Sequence, residues 1–165
     1  MLATQTAAVT TSTSTTTSII PTPAALTPGQ TITFTSTNGL WHVVKSSATK
    51  GDSVKSGPAS GTETLTVTGA FKNGYALTVT SGSISINGTS YTFGSGSAEM
   101  GPYQAHLVGQ GSFVSTNTST TPGSFLFAAG AHANFESHSY DTLRFDVQVN
   151  GQEYGVVLLV TSQVA

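Results

Sequence analysis

Apolar and polar residues alternate with a period of two along much of the chain. Thr31-Ile32-Thr33-Phe34-Thr35, Thr64-Leu65-Thr66-Val67-Thr68 and Ala76-Leu77-Thr78-Val79-Thr80 follow this rule, as do Ser83-Ile84-Ser85-Ile86 and Arg144-Phe145-Asp146-Val147-Gln148-Val149. Successive side chains of an extended chain point to opposite faces, so these runs predict strands buried on one face and solvated on the other. No stretch keeps a 3.6-residue apolar period, so helix is not expected.

Four Asn-Gly dipeptides fall between strand-like runs: Asn38-Gly39, Asn73-Gly74, Asn87-Gly88 and Asn150-Gly151. A type I′ turn needs positive φ at both central residues, which Asn-Gly tolerates best. The dipeptides predict hairpins over residues 30–46, 64–81, 83–94 and 142–161. Gly94-Ser95-Gly96-Ser97 reads as a turn-like linker, and residues 47–61 as one long polar loop. Val156-Val157-Leu158-Leu159-Val160 is apolar throughout and predicts a strand buried on both faces. The expected fold is all-β, an antiparallel sandwich or jelly-roll-like domain of about ten strands. Its expected core contains Phe34, Trp41, Leu65, Val67, Leu77, Val79, Ile84, Ile86, Phe145, Val147, Val156 and Leu158.

The first residues break the pattern. Residues 1–28 are rich in Thr and Ser and close on Pro21, Pro23 and Pro28; residues 29–165 form the expected folded domain. Such a tract reads either as an O-glycosylated stalk or as an extended strand, since Thr is β-branched and favours extended backbone. In the second reading Thr4, Val9, Thr13 and Ile19 lie on a segment that pairs with a neighbouring copy, in the manner of donor-strand pilins.

Composition narrows the function. Only 7% of the 165 residues are charged, against about 25% in an ordinary soluble domain. A net charge of −2 with five Lys and Arg leaves no basic patch for phosphate, so nucleic acid is not an expected partner. No apolar run approaches the length of a membrane-spanning helix. The chain has no cysteine, so disulfides and thiolate metal sites are ruled out. A hydroxyl-rich, charge-poor surface fits glycan cover, burial against copies of itself, or an extracellular setting. No charged stretch followed by an apolar one succeeds Met1, so export implies a leader removed earlier.

Candidate chemistry is thin. His132, Asn134, Glu136 and His138 would share one face of a strand, but His132 and His138 would then lie about 20 Å apart. Glu136 with His138 is the tighter pair for a metal, with His42 and His106 as outlying candidates. No Gly-x-Ser-x-Gly elbow is present, and Glu99, Asp141, Asp146 and Glu153 show no acid–base spacing. An enzyme is therefore not expected, and no cofactor is implied. Asn87-Gly88-Thr89 and Asn117-Thr118-Ser119 match the N-glycosylation sequon. Among the aromatics, Tyr103 and Tyr140 look loop-borne and available to a sugar, whereas Trp41, Tyr75, Tyr91 and Tyr154 sit in alternating runs. Two functions follow as expectations. One is a structural subunit of an extracellular or cell-surface filament, assembling from copies of itself through residues 1–20. The other is a secreted module binding a glycan or a metal.

Overall fold

A computed structural model describes residues 24–44, 55–101, 106–114, 123–130 and 140–165. The described residues form eight strands: β1 (Thr31–Val43), β2 (Ser56–Phe71), β3 (Gly74–Ile86), β4 (Thr89–Met100), β5 (His106–Phe113), β6 (Ser124–Gly130), β7 (Thr142–Val149) and β8 (Gln152–Val164). Each is antiparallel to its neighbours in sequence, and β1 pairs with β8, from Ile32 with Val164 to Val43 with Tyr154. The sheet therefore closes into an up-and-down barrel. The expected all-β antiparallel class holds; the expected sandwich of about ten strands is corrected to an eight-stranded barrel.

Alternation places one residue in two in the lumen. All twelve expected core residues are buried. Eight strands enclose a space that side chains can just fill, and small residues must face large ones for that to work. Here the inward positions 109 and 111 of β5 are glycines, and Phe127 and Phe125 of β6 lie over them. Phe93, Phe113, Phe125, Phe127 and Phe145 pack into one aromatic cluster, with Phe93 and Phe125 ring centroids 4.6 Å apart. The outer face of β1–β3 is a field of threonines, with Thr33 and Thr64 hydroxyls 3.2 Å apart. Apolar inside and hydroxyl outside is the reverse of the alternation in a barrel facing lipid. No helix among the described residues is long and apolar enough to cross a membrane.

The turns divide the Asn-Gly dipeptides into three kinds. Asn87-Gly88 (φ 53° and 76°) and Asn150-Gly151 (φ 50° and 73°) are hairpin turns with both residues at positive φ. At the β2–β3 hairpin Phe71 pairs with Gly74, so Lys72-Asn73 is the turn and Asn73 keeps a negative φ. Asn38-Gly39 is no hairpin. It lies inside β1 at a bulge, where the Ser36 hydroxyl donates to the Asn38 carbonyl (2.9 Å) and accepts from the Asn38 N–H (3.2 Å). Two expected loops are likewise strand: residues 94–97 belong to β4, and 56–61 to β2. The run 156–160 is not covered on both faces, since Leu159 is 54% exposed.

Candidate functional site

Two places in the barrel carry chemistry that packing alone does not require. The first is an open cleft of about 740 Å³ on the outer face of β4–β8. Strand register lays its side chains in two rows. Ser97 of β4 pairs with Gln110 of β5, Gln110 with Leu126 of β6, and Leu126 with Asp146 of β7. In the second row Ser95 pairs with Ser112, Ser112 with Ser124, Ser124 with Gln148, and Gln148 with Glu153 of β8. At the interstrand spacing of about 4.8 Å, the second row runs about 19 Å across the barrel. It offers hydroxyl, amide and carboxylate groups in turn, with Leu126 standing 54% exposed beside them. Among the described residues, no hydrogen bond or ion pair engages the carboxylates of Asp146 and Glu153. The Ser95 and Ser112 hydroxyls lie 3.2 Å apart.

The second place is inside. Glu63 points into the lumen from β2, fully buried, between Phe34 of β1 and Gly82 of β3. Neither carboxyl oxygen has a hydrogen-bond partner; the Trp41 indole N–H is the other buried polar group in that condition among the described residues. Phe34, Leu143, Phe145, Leu158 and Val160 wall the space beside Glu63, which has no room for a water molecule. Loss of hydration in this apolar setting pushes the carboxyl from 4.5 up to about 8, so the acid is neutral at pH 7.

The sequence candidates scatter. His42 is exposed on β1, its ring lying over Gly155 of β8, while His106 opens β5 on the opposite side of the barrel. No three His, Asp or Glu converge on a metal site among the described residues. His132, Glu136 and His138 lie outside the described residues, as do Asn117, Tyr103 and the assembly positions Thr4, Val9, Thr13 and Ile19. Asn87 is exposed at its hairpin turn. Tyr140 corrects an expectation: it is buried against Phe34, ring centroids 5.5 Å apart, and burial pushes its hydroxyl up, so it is no sugar platform.

Both places escaped the sequence reading. Glu63 had a legible signal, because it shares parity with Ala59, Leu65 and Val67 and so belongs to the apolar face of β2. The cleft had none, because its rows run across strands far apart in sequence. Comparison with protein-family models, with curated proteins and with solved structures finds no match to this chain.

Proposed function

We propose that this protein is an extracellular, non-enzymatic binding module whose outer cleft takes a neutral, polyhydroxylated ligand of the saccharide class. The observation that carries this is the pair of polar rows around an exposed Leu126. Carboxylates and amides bridge neighbouring sugar hydroxyls, serine hydroxyls both donate and accept, and Leu126 meets the apolar C–H face of a ring. Among the described residues, those lining the cleft include two carboxylates and no cation, which disfavours phosphate and sulfate. The filament reading has less support. Donor-strand exchange needs an unpaired strand edge to receive residues 1–20, and every strand of the closed barrel is paired on both sides.

The test is calorimetric titration with neutral oligosaccharides of glucose, galactose, mannose and N-acetylglucosamine. One series should bind, and Asp146→Ala should weaken it at least about tenfold, the loss of one charge-assisted hydrogen bond. His106→Ala, away from the cleft, should leave the affinity unchanged. No binding across the panel, or binding indifferent to Asp146→Ala and Gln110→Ala, would overturn the proposal.

A further inference from the structure

Glu63 lies behind a gap in the pairing of the barrel wall. The β3–β4 ladder pairs Val79 with Gly96 and resumes only at Ser83 with Thr92, leaving residues 80–82 and 93–95 without partners across that seam. Both strands are irregular there. On its β2 side β3 bulges, Leu65 pairing with Val79 and Thr64 with Ser81, so that Thr80 is left out of the ladder. The Thr80 hydroxyl fills in, donating to the Thr64 carbonyl (3.1 Å) and accepting from Thr66 (3.2 Å). On its β5 side β4 shifts register between Phe93 and Ser95. Gly82, directly opposite Glu63, holds φ 142°, a backbone that L side chains rarely adopt, and a Cβ there would meet the Phe93 ring at 2.8 Å. A wall in which two adjacent strands stay unpaired over three residues opens at lower free energy than an unbroken ladder such as that between β6 and β7.

We propose that residues 80–82 and 93–95 form a proton-operated gate in the barrel wall, held shut while Glu63 is protonated and opened to water when it ionises. A neutral acid tolerates the apolar lumen. A carboxylate without a partner does not, and must either draw water in or move out. Among the described residues that face it, none is a cation. The inward faces of β1, β7 and β8 around it present Phe34, Leu143, Phe145, Leu158 and Val160, and β3 and β4 present Gly82 and Phe93. Tyr140 packs on the Phe34 ring, and its raised hydroxyl stays neutral over the same range. The outer face of the seam carries Thr80, Ser81 and Ser95, all uncharged. The unpaired seam beside Gly82 is then the way in for water. The gate needs no ligand in the outer cleft to operate.

Amide hydrogen exchange of the full chain, resolved by residue and corrected for intrinsic rates, tests this at pH 5 and pH 9. Protection at Val79, Ser83, Thr92 and Gly96, which border the gap, should fall at least tenfold more than protection at Phe127 and Phe145 on the far wall. Glu63→Gln and Glu63→Met should both remove that difference. Uniform loss of protection over all strands, no loss at the seam, or the same loss in both variants would each overturn the gate.

Discussion

Replacing Glu63 with Gln should alter how stability depends on pH. Burial raises the acid from 4.5 to about 8 in the barrel, and unfolding returns it to its ordinary value. Below pH 4.5 the group is neutral in both states, and its full contribution to stability is present. As pH rises further the unfolded chain ionises while the barrel does not, so the fold loses about 1.36 kcal/mol per pH unit. The loss levels off as the folded acid ionises near pH 8. It amounts to about 3 kcal/mol at pH 7 and about 4 kcal/mol at pH 8. Against a total stability of about 5–15 kcal/mol, that is a large share. The Gln variant keeps a polar group of similar size in the same apolar surroundings but cannot ionise. Urea unfolding at pH 5, 7 and 8 reads the difference. The two proteins should agree within about 1 kcal/mol at pH 5, and the variant should lead by about 4 kcal/mol at pH 8. Parallel pH profiles would refute the reasoning, because Glu63 would then reach water or a partner in the folded state.

The packing and turn assignments are tested more simply, by thermal unfolding. Gly109→Ala sets a methyl against the Phe127 ring and 2.8 Å from the Ser97 carbonyl, and should cost about 1–3 kcal/mol. Gly69→Ala, with nothing within 4 Å of the new methyl, should be neutral or stabilise by about 0.5 kcal/mol. Asn150→Val, at φ 50°, should cost about 1–2 kcal/mol, and Asn73→Val, outside the positive-φ region, less than about 1 kcal/mol. Equal costs at the two asparagines would contradict the turn types.

Strand positions and core residues are legible because alternation is local: Phe34, Leu65, Val147 and their like are fixed by parity with the next few residues. Closure is not. A sandwich and a barrel impose the same alternation, and the deciding contacts, such as Thr35 with Thr161, join opposite ends of the described chain. The Asn38-Gly39 dipeptide shows a local rule overridden from outside. The Ser36 hydroxyl satisfies the bulge, and a Cβ at residue 39 would meet Leu158 and the Val157 carbonyl, so the position needs a glycine for close approach rather than for a turn. Leu159 misleads in the other direction, an apolar side chain on a face that the barrel leaves open.

The cleft and the gate meet at one residue. Ser95 begins the second row of the cleft and also ends the unpaired stretch of β4. In the closed wall its position is fixed by pairing with Ser112, hydroxyl to hydroxyl at 3.2 Å. Opening the seam on its β4 side would pull on that pair, because Ser95 belongs to both. If the outer cleft binds the ligand proposed for it, a ligand seated on the intact row should favour the closed wall, and the closed wall the protonated acid. Linkage makes the relation reciprocal: if ligand raises the proton affinity of Glu63, protonation raises the affinity for ligand by the same factor.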